Sequence, residues 1–121
     1  MKKENIRCIP EPEAICFCSI EGVLGIISKK WGLQIISTIG NYERLRYGEL
    51  EQKLGGISPK TLSDRLKELE GANLIKRETF SEIPPRVEYT LTNDGQELRN
   101  ALIPLMNWAQ YRDTGEIYQL H

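Results

Sequence analysis

Apolar residues recur with helical spacing through the first half of the chain. Positions 20, 23, 24 and 27 predict a first helix with Ser19 as its cap, and positions 31, 35, 36 and 39 predict a second helix that stops near Gly40. Positions 47, 50 and 54 predict a short third helix ending at Gly55-Gly56, after a polar turn over residues 41–46. Three helices are therefore expected before residue 57.

The segment after these glycines carries the clearest helix signals in the sequence. Ser58 can cap a helix that Pro59 opens, because serine accepts a bond from an unpaired backbone N–H and proline lacks the N–H that would go unused. Leu62, Leu66 and Leu69 then form one narrow apolar stripe for a core. We predict a helix over residues 58–72, which forms a helix-turn-helix unit with the third helix and the glycine turn.

The other sides of this fourth helix are polar and partly basic. Opposite the stripe lie Lys60, Asp64 and Lys67, and on its flanks lie Thr61, Ser63 and Arg65. A short helix with small polar and basic groups at its N-terminal end suits the major groove of DNA. Together with Ser58 these residues are the candidate DNA contacts, although a solvated helix face is the alternative for all of them. Arg65 has the further alternative of pairing with Glu68 or Glu70.

Beyond the fourth helix the spacing changes from helical to alternating. Residues 74–80 and 87–91 predict two strands, and Pro84 and Pro85 between them cannot donate to a ladder. The hairpin 74–91 therefore has a stiff, projecting tip. A hairpin directly after a helix-turn-helix unit is typical of a wing, which lies along the DNA backbone.

Three arginines are candidates for contact with backbone phosphates. Arg77 and Arg86 flank the wing, and Arg46 precedes the third helix. The alternative for the two wing arginines is a cross-strand ion pair with Glu78 or Glu88.

A long apolar face marks the last predicted helix, which starts at residues 92–94. Pro104 predicts a kink or a break near Ile103. The face is wide for the end of a small domain, so we expect it to bury against a second copy of the chain and form a homodimer. The expected dimer residues are Leu98, Leu102, Leu105 and Trp108.

Length and charge set limits on this picture. A chain of 121 residues suits one domain, which we divide into an arm (1–18), a winged helix-turn-helix domain (19–112) and a tail (113–121). The formal net charge is −1, but residues 29–77 hold ten basic and six acidic residues, a local balance of +4. With no membrane-length apolar run and no signal-peptide core, we expect a cytoplasmic protein without a membrane partner.

The cysteines and the single histidine give little sign of catalysis or metal binding. The chain has three cysteines, Cys8, Cys16 and Cys18, and this odd number argues against a disulfide framework. His121, at the last position, is a poor fourth metal ligand. The sequence also lacks a Cys-x-x-Cys motif and a glycine-rich phosphate loop after a strand. We therefore expect no enzyme, no cofactor and no metal, and interpret Cys16 and Cys18 as small buried residues at the dimer seam.

The ordered set of motifs resembles the HxlR-type family of winged helix-turn-helix transcriptional regulators, relatives of the MarR group. The matching stretches are Lys30-Trp31, residues 46–50, 56–62, 65–70 and 84–92, Gly95 and Trp108. The departures are Ser28-Lys29 where glycine usually precedes Lys-Trp, Ile9 between Cys8 and Pro10, and the acidic Glu82 in the wing tip. The resemblance implies a homodimer held by terminal helices, with the fourth helix in the major groove. Because several members of this family sense oxidants or electrophiles through a thiol near the N-terminus, Cys8 is a candidate redox sensor, and a Cys8 without redox chemistry is the alternative.

Two functional hypotheses follow from these observations. The first is a homodimeric, sequence-specific regulator of double-stranded DNA, with a fold that is mainly α with a small β-hairpin, in the order α-α-α-α-β-β-α. It would respond to an unidentified effector, either a small molecule or a redox signal. A small molecule would bind between the dimerising helices and the DNA-binding unit. The alternative is a winged-helix module that binds proteins and has little affinity for DNA.

Overall fold

The computed structural model describes residue 15 and residues 18–115, which form five α-helices and one three-stranded sheet. The helices are α1 (Val23–Ile27), α2 (Gly32–Tyr42), α3 (Tyr47–Leu54), α4 (Pro59–Gly71) and α5 (Asn93–Thr114), and a 3-10 helix at Cys18–Glu21 precedes them. The strands are β1 (Arg44–Arg46), β2 (Ile75–Phe80) and β3 (Arg86–Leu91). This order confirms the predicted winged helix-turn-helix fold, with one strand more than expected.

The additional strand corrects the prediction of a polar turn over residues 41–46. β1 pairs with β3 antiparallel, so the sheet has the order β1-β3-β2 rather than being a two-stranded hairpin. Leu45 is buried between two exposed arginines, opposite Tyr89 of β3. A three-residue strand shows too little alternation to be recognised from sequence, because a distant partner strand, not local periodicity, stabilises it.

The first predicted helix is divided into the 3-10 helix and the five-residue α1. Gly22 is the residue at the N-cap of α1, so the expected cap at Ser19 is wrong. The Ser19 carbonyl instead accepts a bond from the Gly22 N–H at 3.0 Å. Glycine disfavours helix by about 1 kcal/mol relative to alanine, which accounts for the interruption here.

The core lies between the helices and one face of the sheet. α2, α3 and α4 each contribute fully or almost fully buried apolar residues, including the predicted stripe. The most deeply buried side chains are Ile35, Ile36, Ile39, Leu50, Leu62, Leu69 and Ile75. This packing leaves the polar sides of α4 and the outer face of the sheet at the surface.

The helix-turn-helix unit forms as the sequence predicts. The turn after α3 contains Gly55 and Gly56 with φ of 34° and 91°, values in the left-handed region that glycine tolerates. The Ser58 Oγ accepts a bond from the Thr61 N–H at 3.1 Å, and Pro59 is the first residue of α4. Both predicted start signals are therefore confirmed.

α5 begins at a second side-chain cap and crosses the domain. The Thr92 Oγ1 accepts a bond from the Gly95 N–H at 3.0 Å and donates to the Asn73 carbonyl at 2.6 Å. The helix continues unbroken through Pro104, which is exposed. Within residues 18–115, no helix combines the length and apolar character that crossing a bilayer requires.

Candidate nucleic-acid interface

The N-terminal turn of α4 is exposed and already capped. Besides accepting the Thr61 N–H, the Ser58 hydroxyl donates to the Thr61 Oγ1 at 2.9 Å. Ser58 is exposed and Thr61 is half-buried beside it. The unpaired N–H groups of this turn and the positive end of the helix dipole favour an approaching anion.

Lys60 projects furthest from this turn into solvent. Its side chain is 86% exposed, and its Nζ lies 2.9 Å from the Oδ2 of Asp64 one turn later. This hydrogen bond is the main reason that the pKa of Asp64 is lowered, with smaller contributions from the charges of Lys67 and Arg65. Such exposed pairs contribute little to stability, so Lys60 can exchange Asp64 for another partner at small cost.

Tyr47 joins the two helices of the helix-turn-helix unit. Its hydroxyl donates to the Pro59 carbonyl at 3.0 Å and lies 3.3 Å from the Ser63 Oγ. The contact holds the start of α3 against the start of α4 and orients the Ser63 side chain. From the sequence, Tyr47 is predicted only as an apolar helix position, because no local pattern shows where its hydroxyl points.

Arg65 connects α4 to the segment that precedes α2. Its Nη1 pairs with Glu68, as the alternative interpretation expected, and its Nε donates to the Lys30 carbonyl at 3.0 Å. Lys29 pairs with the other oxygen of Glu68. Bonds from Lys29 first, and then from Arg65, lower the pKa of Glu68. This cluster ties the middle of α4 to the segment before α2.

Arg86 is surrounded by groups of the wing itself. Its guanidinium stacks on the Phe80 ring at 4.3 Å, its Nη1 lies 2.9 Å from the Glu82 Oε1, and its Nε lies 2.9 Å from the Glu88 Oε2. Its side chain is only 26% exposed. Glu88 belongs to the same strand, so the expected pairing is observed along β3 rather than across strands.

Glu88 lies on the outer face of the sheet and is the shared ion-pair partner of several arginines. The Arg44 Nη1 donates to the Glu88 Oε1 at 2.8 Å, and the Arg46 Nε lies 4.0 Å from the Glu88 Oε2. The bond from Arg44 is the largest cause of the lowered pKa of Glu88, and it raises the pKa of Arg44 in turn. Arg46 remains half exposed, with its backbone N–H bonded to the Glu49 Oε1 at 2.9 Å.

Arg77 differs from Arg86, because its guanidinium is exposed and donates to the Thr79 hydroxyl at 3.2 Å rather than to a carboxylate. It lines a cavity of about 450 Å³ between α4 and the wing. The other lining residues are Tyr47, Ser63, Leu66, Lys67, Glu70 and Tyr89. Candidates from two elements, Ser63 and Lys67 of α4 and Arg77 of β2, are thereby brought to one place.

The expected dimer residues divide into two groups. Leu102 is buried in the core of the chain itself, and Leu98 packs against that core. Leu105 and Trp108 are 50% and 61% exposed. Large apolar side chains are also exposed at Ile20, Leu24 and Tyr111.

A second cavity, of about 480 Å³, lies between α2 and α5. Apolar side chains of both helices make up most of its wall, among them Leu33, Ile103 and Met106. At its polar side the Arg99 Nη2 donates to the Asn41 Oδ1 at 2.8 Å.

Cys8, Cys16 and the side chain of Cys18 lie outside the described part of the chain. Within residue 15 and residues 18–115, no group of three His, Cys, Asp or Glu residues is placed to hold a metal ion.

A helix-turn-helix unit followed by a hairpin, with cations on both, defines a winged helix-turn-helix protein. The family model for HxlR-like helix-turn-helix proteins matches residues 26–115. The chain is 42% identical over 93 residues to the MalR protein of Fusobacterium mortiferum, covering 77% of this chain and 88% of MalR. The chain therefore belongs to the HxlR-like helix-turn-helix family and is a transcriptional regulator rather than an enzyme.

Solved structures agree with this assignment. A transcriptional regulator assigned to the MarR family from Enterococcus faecalis V583 has a TM-score of 0.73 and 37% identity, covering 88% of this chain and 96% of that one. The redox regulator HypR in its oxidized form has a TM-score of 0.70 and 28% identity, covering 77% of this chain and 95% of HypR.

Proposed function

We propose that this regulator binds double-stranded DNA sequence-specifically as a homodimer in the cytoplasm, with α4 in the major groove and the β2–β3 hairpin as its wing. The observation that carries the proposal is the arrangement of exposed cations on α4 and the wing. Lys67 of α4 and Arg77 of β2 line one cavity, and Lys60 is exposed on the first turn of α4. Family membership makes DNA the expected partner of these groups.

In this proposal the first turns of α4 contact the base edges. Lys60 is the most exposed cation there and can leave Asp64 for a guanine edge or a flanking phosphate. Thr61 and Ser63 present hydroxyls on the two flanks of the Lys60 face, and Ser58 caps the helix at the end that enters the groove. Asp64 restricts the bases that can lie beside Lys60. Its carboxylate is repelled by the acceptor-rich edge of guanine, and it can accept a hydrogen bond from the amino group of cytosine.

The cavity between α4 and the wing has the right partners for the sugar-phosphate backbone. When a helix fills the major groove and a wing follows the adjacent minor groove, the strand between the two grooves passes between the two protein elements. Lys67 and Arg77 then flank one stretch of phosphates. The Ser63 hydroxyl can turn from Tyr47 to a phosphate oxygen, whereas the Tyr47 O–H stays bonded to the Pro59 carbonyl. Arg46, half exposed beside Glu88 on the outer face of the sheet, is a further candidate for a phosphate contact away from this cavity.

Arg65 and Arg86 have a different role in this proposal. Each guanidinium already has a carboxylate partner, and each side chain is less than a third exposed. Arg65 fixes the angle of α4 through Glu68, and Arg86 braces the hairpin through Glu88. Both therefore position the DNA-binding elements rather than adding to the phosphate contacts.

The homodimer forms through the exposed apolar part of α5, centred on Leu105 and Trp108, together with the region of Ile20 and Leu24. Clusters of large exposed apolar side chains mark interaction surfaces in small proteins. Two-fold pairing repeats α4 on the duplex, so the operator is expected to be palindromic with half-sites about one turn, or roughly 34–36 Å, apart.

The effector is a second element of the proposal. Similarity to the redox regulator HypR supports an oxidant acting on the Cys8 thiol, and the cavity between α2 and α5 is the candidate site for a small molecule. Affinity for operator DNA before and after diamide treatment tests the first option. Wild type should change its affinity and Cys8→Ser should not; an equal response of both would contradict a role for Cys8.

The sequence-specific part is tested by fluorescence anisotropy with the region upstream of the gene and a random duplex of equal length. Wild type should prefer the upstream region at moderate salt. Lys60→Ala should lose about 1–3 kcal/mol of that preference, because a base contact is removed. Lys60→Arg keeps the charge and serves as the control. A stable protein partner with no preference between the duplexes would instead support the protein-binding alternative.

A further inference from the structure

The tip of the wing is apolar and fully exposed. Ile83 has its entire side chain in solvent, and Pro84 and Pro85 after it are also exposed. Single exposed isoleucines are common on protein surfaces. This one, however, lies in the loop of the hairpin that the proposed function directs at DNA.

The charged groups beside Ile83 are engaged with each other. Glu82 pairs with Arg86, whose guanidinium also lies on the Phe80 ring and beside Glu88. The negative charge of Glu82 at the tip is thus neutralised, and the charge of the nearest arginine, Arg86, is engaged by the same pair and by Glu88. Among residues 81–85, what remains to contact a ligand is mainly apolar.

The length of the hairpin places this tip at the distance of a neighbouring groove. Ile83 lies six positions after Arg77 at the cleft. The first three positions, to Phe80, are extended strand and span about 10 Å at roughly 3.3 Å per residue. The next three begin with a turn closed by the bond from the Glu82 N–H to the Phe80 carbonyl, and they bring the reach to at most about 20 Å. Half a turn of duplex is about 17 Å. With Arg77 on the backbone beside the major groove, Ile83 can therefore reach into the minor groove.

We propose that Ile83 enters the minor groove of the operator as an apolar wedge that contacts the sugar walls and partly unstacks one base step. Isoleucine and proline are among the side chains that open base steps in this way, and the kink they produce lies toward the major groove. The proposal rests on the proposed function, since it requires α4 to occupy the adjacent major groove.

A wedge reads sequence without hydrogen bonds. Pyrimidine–purine steps such as TA and CA unstack most easily, so the operator should carry one under the wing in each half-site. Stiff A-tracts with a narrow minor groove, which attract inserted arginines, should be disfavoured there. The wing would thus select DNA by its deformability, while α4 reads base edges.

The test compares the full chain with Ile83→Ala, Ile83→Leu and Glu82→Gln on the upstream duplex labelled at both ends. Anisotropy gives affinity, and energy transfer between the labels gives the bend. Ile83→Ala should weaken binding about three- to tenfold and reduce the bend, with an unchanged salt slope because no charge is removed. Ile83→Leu should keep both properties near wild type, and Glu82→Gln should keep the bend.

Thermal melting should be the same for wild type and Ile83→Ala, because the removed side chain is fully exposed. If wild type binds the operator and Ile83→Ala binds and bends it equally, the wedge is wrong while the proposed DNA binding stands. If wild type prefers no duplex, the wedge and the proposed function both fail.

Discussion

Substituting Arg77 by alanine should remove one phosphate contact and thereby flatten the salt dependence of DNA binding. Arg77 faces the cleft between α4 and the wing, and its guanidinium bonds to a hydroxyl rather than a carboxylate. Its charge is therefore available to displace counterions from the duplex. Each neutralised phosphate contributes roughly 0.9 to the slope of log K against log salt.

The expected magnitude follows from that slope. When salt is raised from 50 to 200 mM, one phosphate contact adds a factor of about 3.5 to the loss of affinity. The affinity of Arg77→Ala should therefore fall about 3.5-fold less than that of wild type over this range. Arg86→Ala provides the contrast, because Glu82 and Glu88 already neutralise the Arg86 guanidinium. It should change the slope far less than Arg77→Ala does, although it can weaken binding by loosening the hairpin.

Anisotropy titrations at four or more salt concentrations measure these slopes, with Arg77→Lys as the control that retains the charge. Arg77→Ala should reduce affinity for operator and random duplex about equally, since a phosphate contact carries no base information. An unchanged slope for Arg77→Ala together with a flattened slope for Arg86→Ala would show that Arg86, not Arg77, contacts phosphate, because the ion pairs of Arg86 would then have to open on DNA.

Three further predictions concern stability and assembly. Gly95→Ala should destabilise the fold by roughly 1–3 kcal/mol in thermal or urea unfolding, because its Cβ would lie 2.0 Å from the Leu74 carbonyl oxygen; an unchanged midpoint would contradict this close contact. The lowered pKa of Glu68 means that its bonds stabilise the fold above the unfolded pKa of about 4.5, and that this contribution is lost as pH falls through the lower folded value. Glu68→Gln should therefore unfold less steeply with acid than wild type, and equal pH profiles would show that the cluster is open in solution. Trp108→Asp should shift the mass measured by light scattering from dimer to monomer with helix content retained. An unaltered dimer would show that the interface does not include Trp108.

The features that could be predicted from sequence have local causes. Ser58 and Pro59 mark the start of α4 by capping chemistry, and Leu62, Leu66 and Leu69 mark its buried side by spacing; all five behave as expected. These signals lie within four turns of one helix, so no knowledge of the rest of the fold is needed to interpret them.

The features that sequence could not predict depend on distant partners. β1 exists because residues 44–46 find the open edge of β3, more than forty positions away. The partners of Arg65 and Arg86 were only alternatives, because several carboxylates lay within reach and only the folded chain selects among them. The same holds for the division of the α5 face, where Leu102 turns inward and Trp108 outward.

Methylation interference on operator DNA shows whether the Lys60 side of α4 contacts the major groove. Dimethyl sulfate modifies guanine N7 in the major groove and adenine N3 in the minor groove. Guanine methylation at one position in each half-site should prevent binding by wild type, and Lys60→Ala should lose sensitivity at that position. Interference confined to adenine N3, or identical patterns for wild type and Lys60→Ala, would contradict the account.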